Sequence, residues 1–272
     1  MTFTSSQGTS RGARLAAAAA LACLATVLAS CRPQDQLAPG SVDRVGVVLL
    51  SQAHAGAAAG QATFVALGTA RAERLLAEPF GEQLGTCRVA SAAAPGTGPA
   101  SPAAGGNRLL AGDPTLHVGG STYASLTRDE NDRYHLAGAT GPLPAALTVD
   151  IAATGGFPAF AGVSVDTGSE PVVAPGFDAN GVTVDTVFGW TPTTGKAAVL
   201  LVGSSGGVSY LCLADDSLGA FVFPDATRQE LVDAGFATGT LDTLGRITTT
   251  QARSGSALLM VNTLRLADPG SL

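Results

Sequence analysis

Charge is scarce in this chain. Asp, Glu, Lys and Arg supply 13% of its 272 residues, about half the share of an average soluble protein. Amphipathic helices set a charged or polar stripe against water, so few helices are expected. Histidine occurs only as His54, His117 and His135, too scattered for a zinc motif. None of the four cysteines stands in a Cys-x-x-Cys pair, which removes the usual basis for redox catalysis. The longest apolar run, Leu15–Leu28, falls short of the roughly 20 residues a membrane span requires.

Glycine and proline are plentiful, at 35 and 15 residues, and 46% of the chain is hydrophobic. Disorder is therefore excluded as a description of the whole chain. Small side chains, many turn-formers and little charge fit short strands joined by turns.

The first 31 residues divide into three parts. Arg11 and Arg14 form a positive start, Leu15–Leu28 is apolar, and Leu28, Ala29, Ser30 and Cys31 close the segment. This arrangement resembles the signal peptide and lipobox of bacterial lipoprotein precursors. The resemblance covers only the leader and implies its removal after Ser30, with a lipid (palmitate among its acyl chains) on Cys31. It also implies a cell-envelope location. Arg32 is not the aspartate associated with inner-membrane retention, so the outer membrane is the expected address. Acyl chains contribute about 0.8 kcal/mol per buried methylene, enough for several of them to hold a water-borne domain on a bilayer.

Loss of residues 1–30 leaves 242 residues. It takes away two arginines and no acid, so the formal charge moves from −6 to −8. Such an acidic body is a poor partner for nucleic acid. Residues 31–43, with Pro33, Pro39 and Gly40, read as a tether to a β-rich ectodomain at 44–272. Within it, 91–107 is almost wholly Ala, Gly, Pro, Ser and Thr. That run is a linker between a small portion, 44–90, and a main sandwich, 108–272, or a long surface loop. Cys23 leaves with the leader and Cys31 carries lipid, so Cys87 and Cys212 remain to form a disulfide in an oxidising compartment.

Strands are expected at 45–50 and 62–67, and a short helix at 69–77. Further strands are expected at 122–128, 133–137, 147–151, around Val182 and Val184, and at 197–202, 208–213, 219–223 and 257–261. The fully apolar runs at 197–202 and 257–261 suit strands covered on both faces. A helix is expected at 225–234 with Asp225 as its cap, and Trp190 as core filler near a strand end. The expected fold is mainly β, an antiparallel β-sandwich with one short helix.

Three patterns invite a chemical reading. Asp166, Thr167, Gly168 and Ser169 resemble the active-site signature of aspartic proteases, whose two carboxylates share a proton. One copy would need a dimer mate, because Asp185-Thr186-Val187 and Asp242-Thr243-Leu244 lack the glycine. The competing reading is a turn. Gly203-Ser204-Ser205-Gly206-Gly207 matches the letters of a nucleophile elbow, but no histidine follows it and a strand is expected after it, so a glycine-rich hairpin is preferred. Asp129–Asp132 and Asp215-Asp216 read as solvated turns. Calcium is the alternative, since either turn could contribute oxygen ligands; the stronger candidate, Asp129–Asp132, lacks the glycine and distant glutamate of an EF-hand.

The sequence thus points to a lipid-anchored envelope protein acting as a binding, adhesion or structural module, with no catalytic residues, no metal and no cofactor. Its partners would be the membrane, through lipid, and a protein or glycan ligand. Phe188–Pro192, Tyr210–Asp216 and Phe221–Pro224 loosely resemble segments of uncharacterised sandwich ectodomains of other bacterial lipoproteins, which carry no assigned function. The opposing expectation is a dimeric aspartyl protease-like envelope hydrolase using Asp166.

Overall fold

One hydrogen-bonded sheet organises the protein. The computed structural model describes residues 42–67, 84–91, 107–137, 141–193, 197–268 and 272, all within the unit Ala38–Leu272. The expected leader 1–30 with Cys31, the tether except residues 42 and 43, the helix expected at 69–77 and the interior of the linker 91–107 lie outside the described residues.

The sheet's strands are β1 (Arg44–Gln52), β2 (Ala59–Ala66), β3 (Thr86–Ser91), β4 (Asn107–Arg108), β5 (Thr115–Val118), β6 (Ser121–Arg128), β7 (Tyr134–Ala137), β8 (Ala146–Ile151) and β9 (Phe160–Asp166). After a two-stranded excursion, β10 (Val187–Gly189), come β11 (Ala197–Ser205), β12 (Val208–Asp215), β13 (Ala220–Val222), the helix α1 (Asp225–Asp233), β14 (Thr240–Ser254) and β15 (Ala257–Leu266). The order across the large sheet is β3-β12-β11-β14-β15-β1-β2-β7-β6-β5-β8-β9, with β4 beside β2, while β10 and β13 pair separately. The fold is mainly β and broadly sandwich-like, with one α-helix among the described residues. Pairing is antiparallel except where β1 lies parallel to β15 at the centre, Val48 opposite Val261. No helix among the described residues is long and apolar enough to cross a membrane.

Register explains where the cores sit. On β15, Ala257, Leu259 and Val261 face one side of the sheet with Val48 and Leu50 of β1 and Ala62 and Phe64 of β2. Strands β5, β6, β8 and β9 cover that side with Leu116, Leu126, Val149, Ile151, Phe160 and Val165, giving the first core. Continuing on the same face, Val199 and Leu201 of β11 and Tyr210 and Cys212 of β12 meet Phe188, Trp190, Phe221, Phe223 and Leu231 in a second core. The opposite face of the central strands carries a smaller cluster, including Val45, Val65, Leu258 and Met260. This two-sided burial is why the run at 257–261 is uniformly apolar.

Two local expectations need correction. Val182 and Val184 alternate with polar neighbours, yet Val182 makes only a single bridge to Gly239. Thr183 and Thr186 close a turn, the Thr186 amide donating to the Thr183 carbonyl, and divert the chain before a strand develops. The N-cap of α1 is Pro224, with no side-chain cap, and Asp225 occupies the first turn. Its carboxylate is drawn to Arg228, one turn on.

Cys87 and Cys212 are directly opposed on β3 and β12 and form a disulfide across 125 residues of sequence. It fastens β3, the last strand on its side of the sheet, to the buried Cys212. Closing so long a loop restricts the unfolded chain. The double variant Cys87→Ser/Cys212→Ser is expected to lose about 2–5 kcal/mol of stability, read as a lower denaturant midpoint that added reductant does not lower further.

Candidate functional site

Between the two cores the sheet changes character. Along β14, Leu244 belongs to the second core, Arg246, Thr248 and Thr250 follow, and Ala252 packs against the first. Along β15 the order is reversed. Val261 ends the first core, Thr263 and Arg265 follow, and Ala267 joins the second. Register sets Arg246 opposite Arg265 and Thr248 opposite Thr263, making a polar seam on the sheet's inner face. Both guanidiniums are buried, with Arg246 3% and Arg265 8% exposed.

Two like charges opposed across strands repel, and burial adds the cost of losing water. The chain meets this with acceptors from several segments. Arg246 Nε donates to Asp216 Oδ1 at 3.0 Å, and its Nη2 lies 2.9 Å from the same oxygen. Nη1 donates to the Ser169 carbonyl, the Ser169 hydroxyl and the Glu170 carbonyl, and Nη2 to the Thr191 carbonyl at 2.6 Å. Asp216, expected in a solvated turn, is instead fully buried because Arg246 draws it in, and its second oxygen accepts from the Thr193 amide and hydroxyl. Trp190 Nε1 donates to the Asp216 carbonyl at 3.0 Å, so the expected core filler also orients the acid's backbone. Arg265 is held by neutral acceptors: Gln52 Oε1, the Leu143 carbonyl, and the Thr167 carbonyl and hydroxyl. Burial lowers its pKa, and the Glu170 carboxylate opposes that shift.

The strap across this seam is Thr167–Glu170, so the segment resembling a protease signature lies in the polar network. Thr167 is 1% exposed, and its hydroxyl donates to the Pro144 carbonyl at 2.5 Å. Gly168 has φ +66, and a Cβ there would stand 2.7 Å from Thr248 Oγ1, so the strap passes too close to β14 for a side chain. Asp166 is exposed, and its carboxylate accepts from the Gly168 amide at 2.9 Å, a side-chain turn of the kind Asp favours.

The other patterns are equally occupied by local structure. Ser204 Oγ donates to Asp242 Oδ2 and Ser205 Oγ to the Thr238 carbonyl. Gly206 and Gly207, both at positive φ, make the tight turn between β11 and β12. Gly203 is required because a Cβ would lie 2.0 Å from the Thr240 carbonyl. Asp129 Oδ1 accepts from the Asn131 and Arg133 amides, and Oδ2 meets His135 at 3.0 Å. The backbone bond from Arg133 is the largest cause lowering the Asp129 pKa. Asp132 pairs with Arg128, and Arg108 donates to the Asn131 carbonyl, so cations surround the oxygens considered for calcium. Among the described residues no group of three or more His, Cys, Asp and Glu is placed to hold a metal.

Each histidine meets a carboxylate from elsewhere in the sequence. His117 lies 3.1 Å from Asp150 and His135 beside Asp129. His54, in the turn between β1 and β2, lies 2.7 Å from Glu170 at the end of the strap and 3.8 Å from Asp268 after β15. The Glu170 hydrogen bond is the leading cause raising the His54 pKa. Sequence reading did not find the seam. Arg246 is one cation in a run of threonines and Asp216 the second of two adjacent acids, with nothing in their spacing to link them.

No family model matches the chain, and no curated protein or solved structure matches it.

Two outcomes follow from the seam. Arg246→Met leaves Asp216 buried without its cation and is expected to cost about 3–5 kcal/mol. Arg246→Met/Asp216→Leu should cost less than the two single changes added together, as measured by urea denaturation of all four proteins. For His54 the folded pKa lies above the ordinary 6.5. Its contribution is therefore complete below that value and lost as pH rises through the folded pKa. The difference in Tm between the wild type and His54→Gln should be largest below pH 6.5 and shrink as pH rises through the raised pKa.

Proposed function

We propose that this is a lipid-anchored protein of the bacterial cell envelope, held through Cys31 at the outer membrane. Its β-rich body serves as a binding, adhesion or structural module and not as an enzyme. Its ligand is a protein or glycan. The leader and lipobox support the address. The observation that carries the non-catalytic reading is the role of Thr167–Glu170. The segment with the most enzyme-like letters binds the two buried arginines of the seam, and Gly168 is demanded by its approach to Thr248.

The chemistry of the other patterns supports the same reading. A nucleophile needs an adjacent base and an open position for the reacting atom. Here the Ser204 hydroxyl is directed to Asp242 and that of Ser205 to a carbonyl, and the Asp129 oxygens accept amides of their own turn. The scarcity of charge and the acidic balance favour neutral or basic partners over nucleic acid.

Two measurements test the proposal. Intact mass of the protein isolated from membranes should show a mature chain beginning at acylated Cys31, and Cys31→Ser should leave the membrane fraction. An unprocessed, unacylated amino end removes the anchor. Protease, esterase and glycosidase substrates should show no turnover above background, while turnover abolished by Asp166→Ala would replace the binding module with the hydrolase.

A further inference from the structure

The second core is roofed by a small sheet of its own. Residues 172–174 pair with 189–191 through the Val173–Trp190 bridge, with Ala174 N to the Gly189 carbonyl and Thr191 N to the Val172 carbonyl, each 2.9 Å. On its other side β10 pairs with β13, Phe188 opposite Phe221, and Trp190 N donates to the Gly219 carbonyl. Val173, Phe188, Trp190 and Phe221 point into the core. Alternation then turns the remaining residues outward in rows. Val187 and Val222 form one ridge, Ala174, Gly189 and Ala220 a low middle row, and Val172 and Thr191 the opposite edge, while Leu218, in the 3-10 turn Asp216–Leu218 that precedes β13, is exposed next to them in sequence.

This outer face carries no charge. It holds Val172, Val187 and Val222 and, with Leu218 beside them, these residues are between 52% and 69% exposed and make up half of the large apolar residues markedly exposed among the described residues. Such clustering marks an interaction surface, whereas single exposed apolar residues are ordinary. The flanks are acidic. Glu170, Asp185, Asp215 and Asp225 adjoin the strands in sequence and outnumber the basic groups beside them among the described residues, where Arg228 pairs with Asp185 and Asp225 and His54 meets Glu170.

The dimensions select an occupant. The two edges are four residues apart along the strand, about 14 Å at 3.4 Å per residue, and the row between them is built of Ala, Gly and Ala. An α-helix is about 10–12 Å across with its side chains, so it fits over the low row. Three strands at about 4.8 Å spacing give it roughly two turns of contact, enough for apolar residues at i, i+3, i+4 and i+7. We infer that this face docks an amphipathic helix of a partner protein, whose apolar stripe lies over Ala174, Gly189 and Ala220 and whose basic flanks meet the surrounding carboxylates. A second copy of this chain would set the same acids against each other, and an anionic bilayer would meet them with like charge. The inference rests on the binding-module reading and gives it a surface and a class of partner.

The probe is a synthetic 18-residue helical peptide with a leucine stripe flanked by lysines, titrated against the purified mature protein by fluorescence anisotropy. Binding should weaken at least tenfold for Val187→Ser/Val222→Ser and for the same peptide with glutamate flanks. It should be unchanged for Leu110→Ser, an exposed apolar residue outside this face. An unchanged thermal midpoint shows that the double variant still folds. Equal binding by wild type and double variant overturns the inference, as does equal binding of the two peptides. A concentration-dependent dimer dissolved by Val187→Ser/Val222→Ser would assign the face to a second copy, and flotation of the unacylated Cys31→Ser protein with phosphatidylglycerol vesicles, lost when Val187→Ser/Val222→Ser is added, would assign it to lipid. Either result overturns the helix while leaving the non-catalytic reading, which is judged by turnover, intact.

Discussion

The buried ion pair between Arg246 and Asp216 is the constraint around which the rest is arranged. One continuous sheet carries two hydrophobic cores on one face, and among the described residues no buried apolar side chain belongs to both. At the crossing, two guanidiniums sit side by side on adjacent strands. One carboxylate and a set of carbonyls converge on Arg246 from residues 169–170, 191 and 216. Each of these segments leads into or out of the roof of the second core. The polar seam thus determines where that roof is attached, and burial of Phe188, Trp190 and Phe221 follows from the attachment.

Burying such a network is not a route to high stability in itself, since desolvation offsets much of the attraction. What it supplies is directionality. Apolar side chains tolerate sliding, whereas Arg246 accepts only an arrangement that brings Ser169, Glu170, Thr191 and Asp216 to their places together. Arg265 does the same for the first core, drawing Gln52, Leu143 and Thr167 to the other side of the seam. The strap at 167–170 belongs to both sets and couples the two halves of the molecule.

Much of the strand content was legible because burial leaves a direct trace in composition. Ala197–Val202 and Ala257–Val261 read as apolar without interruption because their strands are covered on both faces. Leu147, Val149 and Ile151 alternate because β8 is covered on one. β14 was missed. Its fifteen residues include Arg246, a run of threonines and Gln251, and it meets both cores only at its ends, so no apolar period develops. The false strand around Val182 arose from the reverse situation, in which a buried valine beside a threonine turn imitates alternation. The disulfide was legible by elimination of the other cysteines. The seam was not, because residues 30, 55 and 77 apart in sequence meet only once the sheet has closed.

The parallel contact between the first and last strands carries a kinetic meaning. Arg44 opposes Ala257, more than two hundred residues later, so the middle of the sheet is assembled from the most distant parts of the chain. Pairings of that range are slow to form, because the entropy of closing the loop is lost before the contacts return anything. Until synthesis has delivered the final strand, the first has no neighbour on one side and the sheet has no centre.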